Sequence, residues 1–518
     1  MTHKSRMAFA SALAVATALG PSMLVAQDVT LRLISGSGSI SGTVISQDED
    51  TFIIDTVAGV MQISKERVTC EGDGCPTIQD NFLLEMASAG EEADVLLPTI
   101  AGGFAGKIDA EVVNMTDGGD MMLSIDDFDG EQLGTIQIRN AGDRSAFDLM
   151  LGGQASVVLT NNPPSQEMRA ALIASGAGDL RTYEQERVIA VAGQAIATNP
   201  DNPISQISTA QVAGILAGNI TNWADLGGED ATINVYALAF DDPSYEEFRS
   251  IVLRPLGVSL TSRANIVGTT TDVTRAIGND PYGLGVVNYS KIRNLHALPV
   301  VNECGMTIEP SEFSIKTERY PFQNRIYVYN TQDVDGTTQE FLAHLDSEDL
   351  DGLVSKAGFI DQAVLPEEGA VSGNRVRQVL NVPDRDTVAF DILQDITVDL
   401  INSTRLSTTF RFEPGASALD VKARRDIARV ITFLRENPQK TALIVGFADS
   451  GGAFGPNLDL SRVRASVVAD EIRAGLPAWV RGSLVDIQVR AYGEIAPVAC
   501  NENFDGRASN RRVEIWVQ

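Results

Sequence analysis

The chain has 518 residues, with 69 acidic against 40 basic side chains and a formal net charge of −29. Such an excess of carboxylates repels nucleic acid and anionic lipid, so we expect neither as a partner. A chain of this length is too long for one hydrophobic core, and about three or four domains are expected.

Residues 1–26 have the pattern of a secretory signal peptide. Lys4 and Arg6 precede the apolar run from Met7 to Leu19, and Ala26 is a small residue at which cleavage is expected. The run is too short to span a bilayer, and no later stretch reaches the roughly 18 apolar residues that a membrane helix needs. We therefore expect an exported, periplasmic chain that is not an integral membrane protein.

Residues 27–76 are predicted to form a small β module. Apolar and polar residues alternate there in four short runs, Val29–Leu33, Ile40–Ile45, Thr51–Asp55 and Val60–Ile63. Gly and Asp clusters separate the runs, and a barrel-like arrangement is one interpretation. We recognise no ligand site in the module, which serves either as an adaptor for protein contacts or as an extension of the next domain.

Four cysteines in an exported chain favour disulfides over metal binding. Cys70 and Cys75 flank a short loop that contains glycine, and we predict that they pair. Cys304 and Cys500 either bridge two domains or stay as buried thiols. The chain has three histidines, so a histidine-rich zinc site or a Ser-His-Asp triad has few residues to draw on. We expect no metal and no cofactor.

Residues 77–365 alternate strand-like and helical apolar runs, which is typical of an α/β domain. The segment Asn219-Ile-Thr-Asn-Trp223, together with Arg187–Ala192, Asn199–Pro203 and Pro281–Val287, resembles the phosphate-binding receptors of ABC phosphate transporters. The resemblance implies two doubly wound lobes that close over an anion.

The loops that hold the anion in this family are altered here. Residues that still offer hydroxyl or guanidinium donors are Ser88, Arg144, Ser145 and Ser244. Glu91 and Glu92 are expected at a helix N-terminus, where they compete with an anion for the positive field. Ala239 or Phe240 stands where the family has arginine. The domain therefore either binds phosphate or another small solute, or is a structural or protein-binding module.

Residues 366–403 are predicted to be a linker with one helix. In residues 404–518, the run from Asp449 to Ala465 reads Asp-x2-Gly-x4-Asn-x2-Leu-Ser-x2-Arg-Ala, and Asn510–Ile515 follows later. These motifs resemble the cell-wall-binding signature of the OmpA-like domain.

That family binds the diaminopimelate of the peptidoglycan stem peptide, a side chain with a free ammonium and a free carboxylate. The resemblance implies that Asp449 takes the ammonium, and that Arg464 takes the carboxylate as a bidentate partner. Asn457 precedes Arg464 by seven residues, two turns along one helix face, and completes the predicted site. The alternative is that Asp449 and Arg464 form a structural ion pair.

The predicted fold is a multidomain α/β protein with a small N-terminal β module, a two-lobed domain like a periplasmic binding protein and a C-terminal OmpA-like α/β sandwich. We expect it to bind peptidoglycan non-covalently in the periplasm and to carry a phosphate-type solute-binding domain. A position near the outer membrane is compatible with this. The alternative is a wall-anchored structural or interaction module that no longer binds phosphate. An enzyme is disfavoured because no paired acid and base stand out by their spacing.

Overall fold

The computed structural model describes residues 28–33, 38–47, 51–56, 59–64, 67–71, 81–88, 92–117, 120–141, 145–367, 379, 390–476 and 485–518. The predicted signal peptide, Cys75, Glu91 and Arg144 lie outside these residues. The chain divides into two compact units, Met1–Thr77 and Ile78–Gln518.

The first unit is an antiparallel sheet in the order β4-β3-β2-β1-β5. Its strands are β1 (Asp28–Leu33), β2 (Ser39–Gln47), β3 (Thr51–Thr56), β4 (Gly59–Ser64) and β5 (Val68–Glu71). Residues such as Leu31 and Ile54 point into a small apolar core. Every second residue of a strand faces the same side, which explains the alternation of apolar and polar residues in this segment of the sequence. The predicted β module is thus confirmed as a sheet, in which β4 and β5 are the end strands.

The second unit begins with a sheet of 11 strands. Its strands and the short strands beside it are β6 (Phe82–Ser88), β7 (Ala110–Asp117), β8 (Asp120–Asp127), β9 (Gln132–Asn140), β10 (Val157–Thr160), β11 (Glu186–Thr198), β12 (Ile207–Ser208), β13 (Asn234–Leu238), β14 (Asn265–Val267), β15 (Gly283–Asn288), β16 (His296–Ala297), β17 (Val300–Val301), β18 (Thr307–Ile308) and β19 (Gln323–Asn330). The helices around it are α1 (Leu97–Lys107), α2 (Ala146–Leu151), α3 (Gln166–Ser175), α4 (Thr209–Leu216), α5 (Pro243–Phe248), α6 (Arg254–Leu256), α7 (Thr270–Asn279), α8 (Glu312–Lys316), α9 (Gly336–Leu345) and α10 (Asp349–Lys356).

The long strand β11 connects two groups of parallel strands. Its first half pairs with β19, which continues to β10, β6 and β9, and its second half pairs with β15, which continues to β13 and β14. Helices cover the parallel strands, as expected for crossover connections. Trp223 is buried in this core, and its Nε1 donates to the carbonyl of Tyr282 at 3.0 Å. The predicted two-part α/β architecture is confirmed.

The C-terminal region is a four-stranded sheet in the order β20-β23-β21-β22, with helices on both faces. Its strands are β20 (Thr404–Arg411), β21 (Thr441–Gly446), β22 (Asp486–Ala491) and β23 (Arg512–Val517). Its helices are α11 (Phe390–Asn402), α12 (Val421–Glu436), α13 (Phe454–Gly475) and α14 (Phe504–Asn510). Helix α12 presents Ile427, Val430 and Leu434, which are spaced three and four residues apart, to the core. Helix α11 packs on the opposite face of the sheet through Ile396 and Leu400.

Arginine side chains hold the C-terminal region against the 11-stranded domain. Arg425 lies 4.2 Å above the ring of Tyr183, donates to the carbonyl of Glu186 at 3.1 Å and pairs with Asp346. Arg411 pairs with Glu318 at 3.0 Å. These two domains therefore pack as one compact unit. In the described part of the chain, no helix combines the length and apolar character needed to cross a bilayer.

Candidate functional site

Asp449 follows the end of β21 and belongs to a cluster of polar side chains with Asn457, Arg464 and Arg511, which we call the pocket. The strand can lie close to α13 because Gly446 has no side chain; a Cβ there would stand 2.0 Å from the backbone oxygen of Ser461. After the strand, the Asp449 carboxylate accepts a hydrogen bond from the backbone N–H of Gly451 at 2.8 Å. Its other oxygen pairs with Arg511 Nη1 at 2.9 Å.

Asn457 is on the first turn of α13 and braces the loop that carries Asp449. Its Nδ2 donates to the backbone oxygen of Asp449 at 3.1 Å and to Glu494 Oε2 at 2.8 Å. The side chain is buried and both of these contacts are internal. The structure thus places Asn457 beside Asp449, as a residue that orients the loop.

Arg464, two turns further along α13, is fully buried. Its Nε and Nη2 donate to the carbonyls of Ala416 and Glu413 at 2.9 and 3.0 Å, and the guanidinium lies 5.2 Å from the ring centroid of Phe412. Its Nη1 has no hydrogen-bond partner among the described residues. Burial, reinforced by the nearby charge of Arg511, lowers the pKa of Arg464 to about 10. An unpartnered donor on a buried cation is a site at which an anion would be stabilised.

Arg511 is a member of the pocket that the sequence analysis did not assign. It precedes β23, donates from Nε to the carbonyl of Phe412 at 3.0 Å and pairs with Asp449 through Nη1. The motif Asn510–Ile515 contained the signal, but its two arginines have different roles: Arg512 is buried in an ion pair with Glu514 at 2.7 Å. The sequence analysis predicted one anionic residue, Asp449, and one cationic residue, Arg464, for the ligand. The structure adds a second cation, because Arg511 pairs with Asp449.

The pocket therefore holds the guanidinium groups of Arg464 and Arg511 and the carboxylate of Asp449, with the carboxylate of Glu494 beside Asn457. Phe504, at the start of α14, is 62% exposed and lies 6.0 Å from the Arg511 guanidinium, so it forms part of the pocket's rim. Such an arrangement can bind a small zwitterion, with its anionic end at the arginines and its cationic end at Asp449.

The candidate solute ligands lie on three elements of the 11-stranded domain. Ser88 ends β6 and is buried, and its Oγ has no hydrogen-bond partner among the described residues. Ser145 caps α2 by accepting from the backbone N–H of Phe147 at 3.3 Å. Ser244 lies in the first turn of α5 and is half-buried.

Carboxylates occupy the starts of two of these helices. Asp242 caps α5 and accepts from the backbone N–H of Ser244 at 2.8 Å. Asp148 accepts from the backbone N–H of Ser145 at 3.2 Å. These N–H groups are donors that a phosphate would use, and the carboxylates add negative charge beside them. A single π-helical turn, Glu92–Leu96, precedes α1, so the regular helix begins five residues after Glu92.

Cys304 and Cys500 form a disulfide, with an S–S distance of 2.09 Å, across 196 residues. Of the two possibilities left open by the sequence, the bridge between domains is therefore the one present. The carboxylate of Glu502 lies near both sulfurs, but sulfurs bonded to each other are not thiolate ligands for a metal.

Cys70 is also disulfide-bonded. Its predicted partner Cys75 lies outside the described residues, so that pairing stays a prediction.

Comparisons with known proteins agree with the two folds. Residues 124–349 match the family model of a PBP superfamily domain, and residues 411–511 match that of the OmpA family. The phosphate-binding protein PstS of Bacillus subtilis is 27% identical over 33% of this chain and 56% of its own length. The peptidoglycan-binding protein ArfA of Mycobacterium bovis is 40% identical over 17% of this chain and 26% of its own length.

The chain thus spans about half of the first relative and a quarter of the second. Among solved structures, an ABC-type phosphate transport receptor from Vibrio cholerae aligns with 53% of this chain and 99% of its own, with 18% identity and a TM-score of 0.39. The two family matches cover separate regions, each of which has its own sheet. Residues 124–349 are thus similar to a PBP superfamily domain, and residues 411–511 are similar to the OmpA family.

Proposed function

We propose that the protein is a periplasmic, wall-associated binding protein that holds peptidoglycan non-covalently in the pocket of Asp449, Arg464 and Arg511. The observation that carries the proposal is the buried Arg464, whose Nη1 lacks a hydrogen-bond partner among the described residues. A carboxylate bound there would satisfy the donor and offset the cost of burying the charge.

The ligand that we propose is the diaminopimelate side chain of the stem peptide. Its ammonium would lie beside Asp449, and its carboxylate beside the two arginines, so that each charge of the ligand meets its opposite. The similarity of 90 residues of the chain to a peptidoglycan-binding protein supports this choice.

Sedimentation with purified peptidoglycan tests the proposal. The wild-type protein should pellet with the polymer, and Asp449→Ala and Arg464→Ala should remain in the supernatant. Arg464→Lys keeps the positive charge but loses the planar group of N–H donors of the guanidinium, so it should also bind peptidoglycan poorly. It should disturb the fold less than Arg464→Ala does. Arg462→Ala is the matched control, because Arg462 is exposed on the same helix and pairs with Asp459 at 3.0 Å. Undiminished sedimentation of Asp449→Ala and Arg464→Lys would refute the assignment.

For the receptor-like domain we infer that phosphate is not a tight ligand. The carboxylates of Asp148 and Asp242 accept hydrogen bonds from backbone N–H groups at the starts of α2 and α5. This favours a wall-anchored structural or protein-interaction role, or the binding of another small solute, over phosphate capture. We also propose that the protein is not an enzyme, because we assign a binding role to both domains.

A further inference from the structure

The segment Cys500–Asn501 joins the two loops that form the charged pocket. The Oδ1 atom of Asn501 accepts from the backbone N–H of Ser450 at 3.2 Å and from Asn510 Nδ2 at 2.9 Å. Ser450 follows Asp449, and Asn510 precedes Arg511. One amide oxygen therefore sets the spacing between the two residues whose ion pair forms the centre of the pocket.

This segment is bonded covalently to the receptor-like domain. Cys500 is linked to Cys304, which lies in the turn between β17 and β18. The turn is itself held by Asn302, whose Oδ1 accepts from the backbone N–H groups of Cys304 at 3.2 Å and Met306 at 2.9 Å. The anchor of the Cys500–Asn501 segment is thus an ordered turn of another domain.

A second tie reaches the other side of the pocket. Arg411 donates to the carbonyl of Ser509 at 3.1 Å and to the carbonyl of Thr317 at 3.0 Å, and pairs with the buried Glu318. The segment that carries Arg511 is therefore also held against the receptor-like domain. Both loops of the pocket depend on contacts made outside the OmpA family domain.

Building on the peptidoglycan-binding function proposed above, we propose that the Cys304–Cys500 disulfide positions the pocket and that its redox state sets the affinity for peptidoglycan. The oxidised bond holds Asn501 between the loops of Asp449 and Arg511. When the bond is broken, ligand binding must order these loops, and that entropy loss opposes binding. Cys500 and Asn501 are positioning residues, and the receptor-like domain is part of the support of the pocket.

The redox step is a two-electron reduction of one S–S bond. A dithiol supplies two electrons and two protons, Cys304 and Cys500 become thiols, and the dithiol closes into its own disulfide. Oxidised glutathione reverses the step by accepting the same two electrons and two protons, giving two molecules of glutathione.

The test uses the full mature chain and purified peptidoglycan. The double variant Cys304→Ser/Cys500→Ser should bind about five-fold or more weakly than wild type, the loss expected for one or two weakened hydrogen bonds. Dithiothreitol should weaken wild type to the same degree, and oxidised glutathione should restore it. The double variant should respond to neither reagent, which separates this bond from that of Cys70.

Amide hydrogen exchange measures directly whether Asn501 still holds the loop that carries Asp449. The N–H of Ser450 should exchange faster in the double variant, because its acceptor on Asn501 is no longer held. Asn501→Ala should reproduce both the weaker binding and the faster exchange with the disulfide intact.

Arg425→Gln is the matched control, since Arg425 contacts the receptor-like domain through Tyr183, Glu186 and Asp346, none of which is bonded to the loops of the pocket. Its affinity should equal that of wild type. If Arg425→Gln weakens binding as much as the double variant, general domain docking is responsible and the positioning role is wrong.

If the double variant binds as tightly as wild type while Asp449→Ala does not bind, this inference fails and the proposed function stands. If Asp449→Ala also binds normally, both fail.

Discussion

Arg511 determines the charge balance of the pocket, because it pairs with Asp449 and lies near Arg464. Replacing it by alanine should weaken peptidoglycan binding about ten-fold or more, the range expected for a lost charged hydrogen bond. Arg511→Lys should recover part of the loss, because it retains the charge but not the second donor that reaches Phe412. Binding isotherms on purified peptidoglycan measure both variants.

The control for this prediction is Arg473→Ala, because Arg473 is an exposed residue of α13 that pairs with Asp470 at 2.9 Å. It should bind as wild type does. Equal binding by Arg511→Ala and wild type would mean that Arg511 is a structural ion-pair partner of Asp449 without a role in the ligand site.

The connection between α8 and β19 carries the carboxylate that joins the two large domains. Glu318 pairs with Arg325 at 2.6 Å and with Arg411 at 3.0 Å. Burial alone would raise the pKa of Glu318, but the two guanidinium groups outweigh it and hold that pKa far below its ordinary value. A carboxylate with a lowered pKa stabilises the fold above its unfolded-state pKa, and this contribution is lost as the pH falls toward the folded-state pKa.

Glu318→Gln should therefore lower the melting temperature at pH 7, since it leaves the partly buried guanidinium groups of Arg325 and Arg411 without their carboxylate, a loss of about 1.5–3 kcal/mol. The difference from wild type should narrow as the pH falls below about 4.3, where the unfolded chain binds a proton that the folded chain does not. Thermal melts between pH 3 and pH 7 measure this. The exposed Glu471→Gln on α13 is the control, and a difference that stays constant with pH would contradict the linkage.

Helices α2 and α5 begin with carboxylates, which we propose weaken phosphate binding by the receptor-like domain. The Asp148 and Asp242 carboxylates lie at their N-termini, and no arginine stands at positions 239 and 240. Two lost charged hydrogen bonds would weaken phosphate binding by about a hundredfold or more. Calorimetry on the full mature chain at neutral pH should detect weak binding or none, with the Bacillus subtilis phosphate-binding protein as the positive control. Tight stoichiometric binding would show that other donors complete the site.

Local patterns predicted the elements of the protein better than the contacts between them. The alternating runs Val29–Leu33 and Thr51–Asp55 each correspond to a strand. Arg511 was missed because it lies 62 residues from Asp449, and no local pattern states which arginine of a pair reaches it. The Cys304–Cys500 bond was left open for the same reason, since 196 residues separate the two cysteines.

The packing of the OmpA family domain on the receptor-like domain also has no local signature. Arg425 belongs to a regular amphipathic helix, and only the folded chain shows that its guanidinium lies on Tyr183. Helix α11 is a comparable case, because its position on the second face of the sheet depends on Phe447 and Trp516, which are distant from it in the sequence. The domain boundaries assigned from the sequence stay predictions.

Calorimetric titration with two soluble stem peptides tests the recognition of a zwitterionic side chain most directly. One peptide carries diaminopimelate and the other carries lysine, which keeps the ammonium but lacks the side-chain carboxylate that we place beside Arg464. The mature protein should bind the diaminopimelate peptide and should bind the lysine peptide about ten-fold or more weakly, because a charged hydrogen bond is lost. Equal affinity for the two peptides, or binding of neither, would contradict the proposed site.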